Sequence, residues 1–280
     1  MTMTSAEMTA RTALPDLWTL IAVSALAYIV PAALHEHGGH TATCLLLGGH
    51  PLEMGAFYVN CETQGMSALG VRLVALAGPV VSVLFGSLCL AVVPAVRARA
   101  MIYLVWLMGT VSLLQGTGYL MFSGVSGFGD LGTEPDAVLF GAEPEWLWRA
   151  VLSVAGLIAY VAAVYFALSR ILPFLCGKGW EQLAVPHRAA RVSYAVGAVT
   201  HLLIGAFNPG GLHVVLISVL PSSLGATSGL LWMFRAAWPG GKGAGPGIAF
   251  ERSWSYIAVA AVVTLAYGLT FARTLVWPAH

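Results

Sequence analysis

Leu17-Trp18-Thr19-Leu20-Ile21-Ala22-Val23-Ser24-Ala25-Leu26-Ala27-Tyr28-Ile29-Val30-Pro31-Ala32-Ala33-Leu34 runs without a charge into His35-Glu36-His37-Gly38-Gly39-His40, and the apolar character resumes to Gly48. A bilayer core takes about 20 apolar residues as a helix. The run 17–48 would extend about 48 Å as one helix, so it is expected to leave the membrane, tilt, or bend at Pro31. Six further apolar runs lie near 67–95, 101–123, 146–171, 191–207, 211–234 and 254–277. Hydrophobic residues make up 58% of the 280 positions and charged residues 9%, against about 25% charged in an ordinary soluble domain. Such a chain cannot cover itself with polar surface in water, which excludes soluble, disordered, fibrous and nucleic-acid-binding classes. The expectation is an all-α polytopic membrane protein of about seven transmembrane helices, with a short β-rich or irregular segment after the first. Phe207-Asn208-Pro209-Gly210-Gly211 is read as a turn between the fifth and sixth spans; were it only a kink, the count would fall to six.

The charges favour seven. With seven spans, Arg11, Arg97, Arg99, Arg170, Lys178, Arg188, Arg191, Arg235, Lys242 and Arg252 fall on one side. Glu53, Glu62, Asp130, Glu134, Asp136, Glu143 and Glu145 fall on the other. Lys and Arg resist translocation, so the basic side is expected to be cytoplasmic, with the amino terminus inside. Residues 1–27 have some features of a secretory signal, but the apolar run continues well past Ala27 and is read as a retained span. The tract 239–247 is read as a flexible cytoplasmic loop. Tryptophans at span ends, among them Trp146, Trp148, Trp180, Trp238, Trp254 and Trp277, read as an interfacial belt.

Three histidines and a glutamate within six positions of a membrane span call for a chemical explanation, because ionisable groups in lipid are expensive. In H-E-x-x-H, two histidines one helical turn apart bind zinc and the glutamate activates water. Here the fourth residue after His35 is Gly39, and His40 is the fifth. Five positions differ by about 140° on a regular helix, so His35 and His40 would not share a face. Three arrangements remain. A π-bulge over His37-Gly38-Gly39 would align His35 with His40. A regular helix would instead pair His37 with His40. Or Glu36 and His40 are ligands and His37 handles protons. The bulge is preferred because it keeps Glu36 as the general base.

The stretch from His35 to Gly49 resembles the site-2 protease family of intramembrane zinc metalloproteases. His35-Glu36-His37-Gly38-Gly39-His40 stands where that family has H-E-x-G-H, with one residue more. Leu45-Leu46-Leu47-Gly48-Gly49 follows, then a polar segment, and Ala77-Gly78-Pro79 is similar to the Ala-Gly-Pro of the family's next helix. The resemblance covers about residues 17–135. It implies a metalloprotease-like membrane core over 1–135, completed by additional helices over 136–280 in one membrane domain. It also implies a third ligand, an aspartate near the end of a later span. The family's Asp-Gly pattern is not matched; the nearest feature is Gly127-Phe128-Gly129-Asp130-Leu131, and the expected topology puts Asp130 on the same side as His40.

Expected metal ligands are therefore His35, His37, His40 and Asp130, with His201 in the fifth span as a fourth ligand or a supporting group. Glu36 is the expected catalytic residue and Zn2+ the expected cofactor, or iron or copper if His201 ligates. His213 and Asn208 lie on the same side, and His50 and His187 receive no role. Cys44 and Cys61 face outward together and are able to form a disulfide. Gly225-Ala226-Thr227-Ser228-Gly229 is discounted as a serine-protease motif, since Ser228 lies about 22 Å along the helix from His213. The expected partners are the lipid bilayer and a membrane peptide or lipid-like substrate, with no nucleic acid. The first reading is a zinc metallopeptidase, in which 51–64 clamps an extended substrate by edge pairing. Others are a metal-dependent hydrolase or oxygenase acting on a lipid or small apolar molecule, and a metal or ion transporter. The site is expected in the outer half of the membrane.

Overall fold

The computed structural model describes residues 13–237 and 242–277. Arg11, Trp238 and residues 239–241 of the glycine-rich tract lie outside the described residues. Seven helices among the described residues are long and apolar enough to cross a membrane: α1 (Leu17–Leu46), α2 (Ala68–Ala95), α3 (Arg99–Ser126), α4 (Glu145–Phe174), α5 (Glu181–Ala206), α6 (Gly211–Ala236) and α7 (Trp254–Phe271). The chain is thus a multi-pass membrane protein by the length and apolarity of its helices. The turn after Phe207 does separate α5 from α6. Boundaries differ by more than three residues at two places. α5 begins ten residues before the expected 191, carrying Pro186 in its first turns. α7 ends at Phe271 because the chain turns there and Leu275–Val276 pairs as a strand.

α3 is the central column and the most buried of the seven. It packs against α4, α2 and α1. Lipid offers no hydrophobic drive between helices, so close packing and interhelical hydrogen bonds hold the bundle. Trp106 Nε1 donates to the Ala167 carbonyl at 2.9 Å. Ser193 Oγ lies 2.8 Å from Ser24 Oγ and 2.9 Å from the Tyr103 hydroxyl. Tyr28 donates to Thr227 Oγ1 at 2.8 Å.

α6 is irregular, with π-helical turns at Val215–Val219 and Pro221–Gly225. Backbone groups released by such turns need partners inside a membrane. Side chains from three neighbouring helices supply them. Gln115 Nε2 donates to Ser222 O, Tyr194 to Leu224 O and Tyr160 to Ala226 O. These buried polar residues therefore have a structural use.

Between α1 and α2 the chain forms an antiparallel hairpin of β1 (His50–Met54) and β2 (Val59–Glu62), with a register shift between Pro51 and Glu53. A short strand after α7, β5 (Leu275–Val276), adds to the other edge of β1, giving the order β2-β1-β5. This leaves β2 as an edge. The other two strands, β3 (Cys176–Lys178) and β4 (Lys242–Ala244), pair at the opposite end of the bundle. The described part of the glycine-rich tract thus contains a strand where only a loop was expected, because its backbone finds a partner in 176–178.

A disulfide joins Cys44, two residues before the end of α1, to Cys61 in β2. It ties the helix carrying the histidine motif to the hairpin beside it.

Candidate metal centre

α1 passes through Pro31 without ending and becomes a π-helix over Leu34–Thr41. The wider turn absorbs the extra residue, so His35 and His40 lie on one face. This is the bulge preferred from the sequence, and one of its two glycines serves a further purpose. Gly39 lies against Gly78 of α2: a Cβ on Gly39 would fall 2.6 Å from Gly78 Cα. The helices meet backbone to backbone at this crossing, as small residues allow. Gly38 is roomy, with Leu34 Cδ2 3.5 Å from an added Cβ.

Both imidazoles are buried and fixed through Nδ1. His35 Nδ1 is 2.9 Å from Ser82 Oγ, and His40 Nδ1 is 2.8 Å from the Val74 carbonyl. A carbonyl can only accept, so His40 Nδ1 carries the proton and Nε2 presents its lone pair. The two Nε2 atoms are 3.3 Å apart. Asp130 reaches the same point from the loop after α3, which leaves the helix at Gly127 and turns again at Gly129, with φ of 83° and 82°. Both values lie in the left-handed region that glycine adopts without strain. Asp130 Oδ2 is 3.3 Å from His35 Nε2 and 3.5 Å from His40 Nε2.

These three atoms form a triangle with edges of 3.3, 3.3 and 3.5 Å. A tetrahedral ion with bonds of about 2.0–2.1 Å spans donor–donor edges of about 3.3–3.4 Å. Among the described residues no well-formed hydrogen bond reaches Asp130 Oδ2, so a cation would satisfy an otherwise orphaned buried atom. The donor set and its spacing fit a metal ion, and His35, His40 and Asp130 form a group able to bind one. Before any metal binds, a proton shared with His40 would hold the Asp130 carboxyl below its usual range against the opposing effect of burial; a metal cation would take that proton's place on the Nε2 lone pair. Asp130 is therefore an anion facing two imidazole nitrogens.

Glu36 is buried, 7% exposed, and lines two cavities. One is a small chamber shared with His35, Gln115, Tyr119 and Ser222. The other is a cleft of about 410 Å³ that also holds His40 and Asp130. The hairpin from Phe57 to Cys61 lines the cleft, and so do Glu134, Asp136 and His213.

His37 and His201 are not brought into the group. The π-turn that aligns His35 with His40 sends His37 to another face, where its ring packs on Phe271 with centroids 4.1 Å apart. His201 is 1% exposed and stands between Tyr28 and Phe57, at ring centroid distances of 5.3 and 4.9 Å. Among the described residues, neither nitrogen of either histidine has a hydrogen-bond partner. His213 reaches the cleft but not the group. Asn208 organises the turn after α5, accepting from Gly210 N and donating to Thr274.

Sequence reasoning missed Gly78, Ser82 and the Val74 carbonyl. A Cβ at Gly78 would collide with His40 Nε2 and lie 2.7 Å from His35 Nε2. Ala77-Gly78-Pro79 was noticed as a motif, but only the helix crossing shows why its centre must lack a side chain. Ser82 was legible only as a polar residue within a span, and a backbone carbonyl leaves no mark in a sequence.

Comparison with protein-family models, with curated proteins and with solved structures finds no match.

Proposed function

We propose that this protein is an integral membrane zinc peptidase that hydrolyses a peptide bond of a membrane-associated substrate. The observation that carries the reading is the donor triangle of His35, His40 and Asp130 with Glu36 beside it, opening into one cleft. Zinc is favoured by spacing. Edges of 3.3–3.5 Å suit a tetrahedral ion, whereas two histidines and a carboxylate on one face of an octahedral iron would lie about 3.0 Å apart. Three protein ligands leave a position for water, the arrangement of catalytic rather than structural zinc. When bound, zinc polarises a carbonyl and makes water acidic near neutral pH.

The chain's own residues supply the rest. Glu36 takes a proton from the attacking water as its oxygen bonds to the peptide carbon, and passes it to the amide nitrogen as the C–N bond breaks. The Val74 carbonyl and Ser82 hold the two imidazoles in position. The free edge of β2 lines the cleft, so an extended substrate can pair with it by main-chain hydrogen bonds. A helical substrate must unwind first, because its amides are already bonded.

In this proposal the amino terminus is cytoplasmic and the site lies toward the outer face. The Cys44–Cys61 disulfide beside the site supports that orientation, since disulfides persist in oxidising compartments. The distribution of basic residues supports it independently.

The test is metal content of purified protein together with Glu36→Gln. One zinc per chain in both proteins, with peptide hydrolysis only in the wild type, supports the reading. Iron in place of zinc, or a Glu36→Gln variant of full activity, refutes it.

A further inference from the structure

A third cavity lies away from the candidate metal centre, on the lipid-facing side of the bundle. It is a groove of about 310 Å³ between α5 and α7, lined by Phe207, Leu265, Gly268 and Leu269 and ending at Arg273. We propose that this groove holds an acyl chain of an anionic phospholipid whose phosphate pairs with Arg273.

Depth is the first argument. α7 has 18 residues and rises about 27 Å, close to the thickness of a hydrocarbon core. Arg273 follows the last helical residue by two positions and so stands at headgroup level. The groove runs from there back to Thr264, about 13 Å into the acyl region.

Charge is the second. Three arginines belong to this end of the bundle. Arg72 donates to the Phe140 carbonyl. Arg149 pairs with Glu145 and donates to the Gly124 and Val125 carbonyls. Arg273 is exposed and has no hydrogen bond or ion pair among the described residues. A guanidinium at the interface beside an apolar channel is complementary to a phosphate with a chain attached.

Gly268 is the third. Glycine inside a helix is unfavourable relative to alanine and calls for a reason. At helix crossings the reason is contact: a Cβ on Gly86, Gly124 or Gly156 would lie within 3.0 Å of a neighbouring helix's backbone. A Cβ on Gly268 would meet nothing nearer than Ile204 Cγ1 at 4.0 Å. The residue does not serve helix packing; its missing side chain is part of the groove.

The proposal is independent of catalysis. The experiment measures lipid retained by full-length protein purified from nanodiscs of phosphatidylglycerol and phosphatidylcholine in equal amounts. The probes are Arg273→Gln, which removes the charge, and Gly268→Leu, which puts a side chain into the groove from a position where a Cβ meets nothing nearer than 4.0 Å. The wild type should retain phosphatidylglycerol over phosphatidylcholine by about fivefold, the worth of one cation at a membrane surface. Arg273→Gln should retain the two lipids equally. Gly268→Leu should lose the tightly held lipid while melting no lower than the wild type. A wild type without preference overturns the proposal, and so does wild-type behaviour in either variant.

Discussion

Gly78→Ala is the smallest change that probes the candidate metal centre without replacing a donor residue. The added carbon would overlap His40 Nε2 and lie 2.7 Å from both His35 Nε2 and His40 Cε1. Relief requires the His35 ring to move by roughly 0.8 Å and the His40 ring by roughly 1.2 Å, since non-bonded heavy atoms rest at about 3.5 Å. Metal bonds tolerate about 0.2 Å. The rings are not free to swing, being held at Nδ1 by Ser82 and the Val74 carbonyl. Overpacking of this kind costs about 1–3 kcal/mol. Borne by the loaded state, it weakens metal binding by about 5- to 150-fold. Gly38→Ala is the matched control, because its nearest contact would be Leu34 Cδ2 at 3.5 Å, an ordinary separation. The assay is zinc stoichiometry against a competing chelator in detergent, with thermal melting alongside. Gly78→Ala should melt as a folded protein yet surrender zinc to a chelator that leaves the wild type and Gly38→Ala loaded. A Gly78→Ala variant with wild-type zinc affinity would show that the donors do not converge beside α2.

Other perturbations reach different parts of the structure. His201→Phe removes two buried, unpartnered nitrogens from between Tyr28 and Phe57, so it should keep its metal and melt at or above the wild-type temperature; loss of metal would return His201 to the site. Replacing Cys44 and Cys61 together with alanine opens a link between positions 17 residues apart and should cost about 3 kcal/mol by denaturant titration, while an unchanged transition would mean that the bridge does not restrain the unfolded chain. Asp16 caps α1, and its carboxyl is held below the usual range by the Thr19 backbone N–H, with Arg252 adding to the effect. Its folded pKa lies below its unfolded one, so its contribution is complete at neutral pH and is lost as pH falls through the folded value. Melting of Asp16→Asn should therefore differ from the wild type near neutrality and converge with it in acid; a constant offset would contradict this.

Span number was legible because lipid makes hydrophobicity a length measurement: a helix must supply its own backbone hydrogen bonds across a fixed thickness. The seven runs read from composition are the seven helices observed. The errors fall where the chain leaves lipid. α5 extends ten residues toward the more polar end, and 272–277 joins the hairpin instead of continuing α7, because those residues answer to partners distant in sequence. Among the site residues, His35, Glu36 and His40 were conspicuous as ionisable groups in an apolar run. Asp130 was reached through the third ligand that the resemblance implies, together with the expected topology.

Residue identity and spacing alone determined that this is a helical membrane protein with a costly polar motif in its first span. They also narrowed the motif to three geometries. Choosing among them required the second helix, because the π-turn, the Gly39–Gly78 crossing and the contacts from Val74 and Ser82 are mutually dependent. The exclusion of His37 and His201 belongs to the same level. Histidines in a membrane span carry the same chemical potential as ligands wherever they stand, and only packing decides which of their nitrogens meet at one point.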